Sequence, residues 1–234
     1  MIPLRDDIRT RTVPVVNYVL IALNVLAFVL ELGMGSDLPR FFGDHSVVPV
    51  LYTGRDHSLS LVEVLVGTLE PDLAFRLVFS MFLHGGFAHI LGNMLYLWIF
   101  GDNVEDALGH VRYLAFYLIC GVAAGLAHAF MLPGSKLPLI GASGAIAGVI
   151  AAYLILHPRV MVWVLAFRII PLKISALWVL GIWVVTQVFM VLLKQQDQVA
   201  WWAHIGGMAA GAILVLFMRR PGMPLFDRGI TSAR

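Results

Sequence analysis

Three short polar clusters lie within otherwise apolar stretches of this sequence. One contains His89 and Asn93, a second contains Ser143, and a third contains His204. A serine hydroxyl that is activated by an imidazole base is a nucleophile for acyl transfer. Side-chain N–H groups such as those of His89 and Asn93 can stabilise the oxyanion that forms during the attack. These residue types predict hydrolysis by a serine nucleophile if the fold brings the clusters together.

Each cluster also has a purely structural interpretation when it is considered alone. The Gly-x-Ser-Gly tetrapeptide at 141–144 is short enough to occur by chance. Glycines four residues apart in an apolar helix often form packing faces. A single intramembrane histidine can simply hydrogen-bond to a neighbouring carbonyl oxygen. Only a shared location of all three clusters favours the chemical interpretation.

The acidic residues, the histidines and the cysteine limit the mechanism. Asp197 is the only carboxylate between Ser143 and His204, and it lies in a loop, so the pattern predicts a Ser–His dyad. The eight histidines include no His-Glu-x-x-His pair, and Cys120 is the only cysteine. A zinc site of either common type is therefore not expected. We predict neither a metal nor a cofactor.

The composition indicates the class of protein that must position these clusters. Of the 234 residues, 60% are apolar and only 13% are charged, whereas soluble domains carry about 25% charged residues. The net charge of +2 gives no reason to expect a nucleic-acid partner. These values exclude a disordered chain and an ordinary soluble enzyme. They predict an all-α protein that crosses the lipid bilayer several times.

Six apolar stretches are candidates for membrane-spanning helices. They cover residues 13–32, 87–100 with some extension, 113–131, 139–156, 174–193 and 200–218. We expect a single domain, 1–234, with short cytoplasmic tails at 1–12 and 219–234 and a long outer first loop at about 33–86. A loop of that length is usually functional or partly structured.

The basic residues predict the orientation of the spans. With the N-terminus inside, eleven of the sixteen Lys and Arg residues lie in cytoplasmic segments and five lie outside. Both termini are then cytoplasmic. The spans that carry His89, Ser143 and His204 all enter from the outer side, so the three clusters share one depth.

Small residues predict how two of these spans approach each other. Gly144 and Gly148 form one face of the fourth span, and Gly207 and Gly211 lie on the same face of the sixth span as His204. Faces of this kind let helices pack closely enough for a hydroxyl to meet an imidazole. Ser143 lies near a helix N-terminus, where free backbone N–H groups can bind an oxyanion.

These motifs resemble those of the rhomboid family of intramembrane serine proteases. The resemblance extends from the first span to Arg219 and covers His89-x-x-x-Asn93, Gly141-Ala-Ser143-Gly144 and Ala203-His204-x-x-Gly207-x-x-x-Gly211. Phe75-Arg76 is similar to an aromatic-Arg pair in the first loop of the family, and 101–106 is similar to the stretch that closes the second helix. The resemblance implies a six-helix bundle with Gly141, Gly144, Gly148, Gly207 and Gly211 in its packing faces.

The resemblance also implies an activity. Ser143 is the expected nucleophile and His204 the expected base, with the Ser143 backbone N–H, His89 and Asn93 forming the oxyanion hole. The family cleaves single-span membrane proteins near the outer membrane boundary, without a metal or cofactor, behind a gate that involves the fifth helix. The expected partners are transmembrane substrates and the lipid bilayer, and the expected location is a bacterial inner membrane.

One position departs from the family pattern, and two other functions are possible. Some rhomboids carry a Tyr that stacks on the base, and Ala147 stands at that position here. We expect Trp201 or Trp202 to support the His204 ring instead. The alternatives are a catalytically inactive rhomboid-like protein that binds or escorts membrane clients, and a small transporter. A transporter would favour inverted repeats, which the sequence does not show.

Overall fold

The computed structural model describes residues 2–53, 70–166, 169–193 and 199–227. Parts of the predicted first loop (54–69), of the loop before the sixth span (194–198, with Asp197) and of the C-terminal tail (228–234) lie outside the described residues. The elements, in chain order, are β1 (Ile2–Asp6), α1 (Val15–Leu32), α2 (Leu38–His45), α3 (Pro49–Thr53), α4 (Pro71–Phe79), α5 (Phe87–Leu108), α6 (His110–Met131), α7 (Ser143–Leu156), β2 (Met161–Ala166), β3 (Ile170–Ser175), α8 (Ala176–Leu192) and α9 (Trp201–Met218).

Several of these helices are long and apolar enough to cross a membrane. Among the described residues, Val15–Leu32, His110–Met131 and Trp201–Met218 meet this condition singly. Pro71–Phe82 and Phe87–Leu108 meet it as a pair bent by 87°. Ser143–Leu156 and Ala176–Leu192 are apolar but shorter. By length and composition the described part of the chain has three spanning helices, or four with the bent pair, and the count of six stays a prediction.

The helix bounds differ from the predicted spans for local reasons. Helix α5 continues to Leu108, beyond predicted residue 100, and ends at Gly109, where φ is +88°. The polar residues in this extension bind the start of α1. Glu105 accepts hydrogen bonds from the backbone N–H groups of Val16 and Asn17 at 3.0 and 2.7 Å. The carboxylate thus satisfies free donors at the N-terminus of α1.

The fourth and fifth spans also begin later than predicted. Helix α7 begins at Ser143 because Leu139 pairs with Val47 in an isolated β-bridge. Helix α8 begins at Ala176 because the preceding residues belong to strand β3. In each case the helix is shorter than predicted because the residues before it form hydrogen bonds with another part of the chain.

Helix α7 lies at the centre of the bundle, between α5, α6, α8 and α9. A β-carbon added to Gly207 would overlap the carbonyl oxygen of Gly144, and one added to Gly211 would overlap that of Gly148. Helices α7 and α9 are therefore in direct backbone contact along the two predicted glycine faces. On the other side, a β-carbon at Gly148 would lie 2.5 Å from Cys120 Sγ of α6.

The prediction of an all-α fold misses a small antiparallel sheet of order β1-β2-β3. Strand β2 alternates between side chains that pack on the bundle and side chains that are partly exposed. In register across the three strands, Arg5 lies opposite Trp163, which lies opposite Lys173. Residues 2–6, predicted as part of a cytoplasmic tail, are thus an edge strand of this sheet.

The described parts of the first loop are folded on the bundle. Tyr52 donates a hydrogen bond to the Leu73 carbonyl at 2.8 Å. Arg76 contacts Asp72 at 2.7 Å and donates to the Gly43 carbonyl at 2.9 Å. Arg76 of the aromatic-Arg pair therefore holds one part of the loop to another.

Candidate active site

Ser143 is the first residue of α7 and is partly accessible. The preceding turn is fixed because the Gly141 N–H donates to the Ser80 carbonyl at 2.9 Å. Backbone N–H groups in the first turn of a helix have no acceptor within the helix. The Ser143 hydroxyl thus stands beside free N–H donors.

His204 lies in the first turn of α9, and its side chain reaches Ser143. The distance from His204 Nε2 to Ser143 Oγ is 2.9 Å, which is a hydrogen bond. The glycine contact between α7 and α9 begins at Gly144 and Gly207, directly beyond these two residues. The close approach of the helix backbones therefore sets the distance between hydroxyl and imidazole.

The support of the His204 ring differs from the prediction. Gln187 of α8 accepts a hydrogen bond from His204 Nδ1 at 2.7 Å. Trp183, one turn earlier in α8, lies with its ring 5.8 Å from the imidazole, and Trp201 presents its ring edge-on at 6.3 Å. Sequence reasoning named Trp201 but missed Gln187 and Trp183. A single amide in the apolar stretch 176–192 is the signal that could have identified Gln187.

His89 and Asn93 lie against the turn that leads into Ser143. A β-carbon at Gly141 would lie 2.6 Å from His89 Nε2 and 3.6 Å from Asn93 Nδ2. Gly141 has a φ of +114° and precedes α7. It was predicted as a helix-packing residue, and this assignment is wrong, since its missing side chain makes room for His89 in a turn.

The hydrogen bonds around His89 and Asn93 orient their donors. The Gly85 N–H donates to His89 Nδ1 at 3.4 Å, which favours the tautomer with its proton on Nε2, the nitrogen that faces the Gly141 turn. Asn93 Nδ2 donates one hydrogen to His84 Nε2 at 2.9 Å. Its second amide hydrogen is left for another acceptor.

His84 and Glu31 hold this donor network in place. His84 Nδ1 donates to the Phe82 carbonyl at 3.2 Å, which leaves His84 Nε2 as an acceptor for Asn93. The buried carboxylate of Glu31 accepts the His84 backbone N–H at 3.2 Å. The sequence analysis gave neither His84 nor Glu31 a role.

A small cavity lies beside Ser143. Its walls include Ser80 and Met81 of the turn after α4, Gly121 and Gly125 of α6, and Ala203 of α9. Within the described ranges, no three His, Cys, Asp or Glu side chains are grouped so that they could hold a metal ion.

Comparison with known proteins decides the family. The family model described as the Rhomboid domain matches residues 71–221, which is more than half of the chain. This chain belongs to the rhomboid family. Family membership and the apolar helices together make this rhomboid an integral membrane protein.

Several curated proteins are similar to this rhomboid. It is 32% identical over 161 residues to RHOMBOID-like protein 5 of Arabidopsis thaliana, covering 66% of this chain and 49% of that protein. It is 28% identical over 221 residues to Rhomboid protease GluP of Bacillus subtilis, covering 94% and 38%. It is 31% identical over 163 residues to Rhomboid-type serine protease 2 of Emericella nidulans, covering 68% and 29%.

The relatives also limit what the family alone says about activity. The chain spans less than half the length of each of these three relatives. A protein named Inactive rhomboid protein 1, from Drosophila melanogaster, also matches, over 93 residues. The family includes intramembrane serine proteases, and whether this member is one depends on its own residues.

Proposed function

We propose that this rhomboid is an intramembrane serine endopeptidase with Ser143 as nucleophile and His204 as general base. The observation that carries the proposal is the 2.9 Å hydrogen bond between His204 Nε2 and Ser143 Oγ. Ser143 Oγ attacks the scissile carbonyl carbon while Nε2 takes its proton. His204 then gives this proton to the amide nitrogen as the C–N bond breaks, and an acyl-enzyme remains.

Water completes the reaction in a second step. A water molecule attacks the acyl carbon and gives its proton to His204, which returns a proton to Ser143 Oγ as the ester bond breaks. In both steps the negative charge develops on the former carbonyl oxygen. The Ser143 backbone N–H, His89 Nε2–H and the second amide hydrogen of Asn93 would bind this oxygen.

The position of the site supports a membrane-embedded substrate. Ser143 and His204 begin helices in a bundle whose outward surface is apolar, and α8 exposes Trp178, Val185 and Leu192 by more than 60% each. A single-span substrate would reach Ser143 sideways, past α8, and be cut near the outer membrane boundary. Helix α8 would then be the gate.

The sheet supports the proposed orientation. Strand β1 pairs with β2, so both lie on one side of the membrane, and the chain between them crosses an even number of times. Four crossings, by α1, α5, α6 and α7, meet this requirement. The basic residues favour the cytoplasm for this side. The proposed location is a bacterial inner membrane, with both termini in the cytoplasm and six spans.

A cleavage assay tests the proposal. Purified protein in liposomes is incubated with a model single-span substrate, alongside Ser143→Ala and His204→Ala. Both variants should reduce proteolysis to background, and their effects should not add, because the two residues act as one unit. Ser36→Ala, at an exposed position in the first loop, should leave cleavage unchanged. Substantial cleavage by Ser143→Ala would reject Ser143 as the nucleophile, and no cleavage by the wild type would favour the client-binding alternative.

A further inference from the structure

Gln187 is a buried amide in the second half of α8, where no other residue is buried. Beyond Leu180, it is the one residue of α8 that is buried, with 3% of its surface exposed. Its neighbours Val185 and Phe189 are exposed by 66% and 54%. An amide in apolar surroundings is costly unless its donors and acceptor are hydrogen-bonded. The partners of Gln187 therefore explain its position.

The two partners of Gln187 fix the orientation of its amide. Gln187 Nε2 donates to the Trp183 carbonyl at 3.2 Å. The oxygen Oε1 is therefore the atom that faces His204 Nδ1, at 2.7 Å. A carbonyl oxygen can only accept, so the proton of the neutral imidazole must be on Nδ1. His204 Nε2 is then left with a lone pair directed at the Ser143 hydroxyl.

We infer that Gln187 is the positioning residue of the catalytic base, an inference that rests on the proposed function. It selects the tautomer in which Nε2 can accept the Ser143 proton. It also continues to accept the Nδ1 hydrogen when the ring becomes cationic in the transition state. A neutral amide serves as the third member of Cys-His-Asn proteases in the same way. In this chain the third member comes from α8.

The location of Gln187 links the base to α8. Ser143 and His204 are carried by α7 and α9, whose backbones are in contact, whereas Gln187 is carried by α8, which exposes several large apolar side chains. Displacement of α8 away from α9 would separate Oε1 from Nδ1 while leaving the Ser143–His204 pair intact. The orientation of the base therefore depends on α8 being seated against α9.

Substitutions at 187 test this inference. Gln187→Met keeps the length of the side chain but removes the acceptor, and Gln187→Glu keeps an acceptor. Thr186→Val is the matched control, because the Thr186 hydroxyl bonds only to Ile182 of its own helix in the described contacts. We measure the second-order rate of labelling by a fluorophosphonate, the kcat and KM for a single-span substrate, and the thermal stability of each variant.

The expected results separate orientation from packing. Gln187→Met should lower the labelling rate and kcat by about 10- to 100-fold, the effect of one hydrogen bond to a charged group. KM should change little. Gln187→Glu should have a rate within a few fold of the wild-type rate. Thr186→Val should have the wild-type rate. Wild-type labelling and kcat in Gln187→Met would overturn the inference.

A tautomer measurement on the wild type depends neither on its activity nor on whether Gln187→Met folds. Nitrogen NMR of ¹⁵N-histidine protein, with His204 assigned by His204→Ala, should show Nδ1 protonated in the wild type. A dominant Nε2–H form in the wild type would overturn the inference even if Gln187→Met fails to fold. If neither the wild type nor Ser143→Ala is labelled, the proposed function fails, while the tautomer result still decides the role of Gln187.

Discussion

The carbonyl oxygen of Gly144 occupies the space that a β-carbon on Gly207 would need. This contact joins α7 and α9 one residue beyond Ser143 and three residues beyond His204. No side chain lies between the two backbones there, so the distance between hydroxyl and imidazole is set by main-chain atoms. A larger residue at either glycine must move one of the helices.

Gly207→Ala should therefore separate the dyad and destabilise the fold. Overpacking of this kind costs about 1–3 kcal/mol, and we expect cleavage to fall at least about 100-fold, since a small misplacement of reacting groups has effects of this size. Gly181→Ala is the matched control, because nothing lies within 4 Å of a β-carbon at that position of α8. It should retain activity and unfold at the same or a higher temperature. Equal activity in the two variants would contradict the role of the contact.

Asn93→Ala should slow cleavage without removing the nucleophile. One lost oxyanion donor costs on the order of 10²–10³ in rate, while fluorophosphonate should still label Ser143. His89→Ala should behave similarly. Asn24→Ala removes an amide that binds Leu20 within α1 and should leave the rate within a few fold. A wild-type cleavage rate in Asn93→Ala would exclude its amide from the oxyanion hole.

Locking α8 to α5 should block large substrates selectively. The rings of Tyr96 and Trp183 lie 6.4 Å apart across these helices, so cysteines at both positions can be joined by a short bifunctional thiol reagent. The crosslinked protein should cleave a single-span substrate poorly but still react with a fluorophosphonate. The same double variant without the reagent is the control. Full cleavage after efficient crosslinking would remove α8 as the gate.

Thiol labelling tests the orientation of the chain. Val13 is 66% exposed just before α1, and Ser36 is exposed in the first loop. In intact cells an impermeant maleimide should label Ser36→Cys and not Val13→Cys, and both should react after lysis. Native Cys120 is buried and provides a low background. Labelling of Val13→Cys in intact cells would reverse the proposed topology.

The partly buried carboxyl of Asp6 should make the stability of the fold depend on pH. Burial raises the pKa of this carboxyl in β1 from 3.8 to about 6, even though Tyr153 and Asn103 donate to it at 2.6 and 2.8 Å. Between about pH 4 and 6 the folded protein therefore keeps a proton on Asp6 that the unfolded chain has released. The contribution of Asp6 to the free energy of unfolding falls as the pH rises through that window and stays low above it.

Asp6→Asn removes the titration but keeps an acceptor. Its melting temperature relative to the wild type should rise between pH 4 and 7, by on the order of 2–4 °C, which corresponds to about 1 kcal/mol after allowance for partial exposure. Asp37→Asn, in an exposed turn, is the control and should show no such trend. A flat difference for Asp6→Asn would show that the carboxyl keeps its ordinary pKa in the folded state.

The sequence predicts the main parts of the site because helical periodicity is local. The spacing of Gly207 and Gly211 relative to His204 identifies a face of α9 without knowledge of its partner. The support of the ring could not be predicted, since Gln187 and His204 are on different helices and only tertiary packing brings them together. Because Ala147 stands where some rhomboids have a Tyr, the sequence pointed to nearby tryptophans as supports of the ring. The structure instead has the amide of Gln187, from the neighbouring helix α8, bonded to His204.

The sheet was missed for a related reason. Strand β2 is apolar and short, and its alternating pattern becomes meaningful only when the chain near Ile2 and Leu172 is placed beside it. Residues 2–6 gave no signal of a strand because their pairing partners are more than 150 residues away. The length of the extension of α5 beyond residue 100 could not be predicted for another reason. The last turns of this helix carry Glu105 and Asp106, which are not expected in a lipid-facing helix. Their carboxylates instead accept hydrogen bonds from the backbone at and just before the start of α1.

The pairing of β1 with β2 has a consequence for synthesis. Residues 2–6 leave the ribosome well before their partner strand at Met161–Ala166, which follows only after helices α1 to α7 have been made. At about 5–20 residues per second, the N-terminal segment waits on the order of ten seconds or more without its partner. The sheet can therefore form only late in biogenesis. It also requires that the chain between the two strands has crossed the membrane an even number of times.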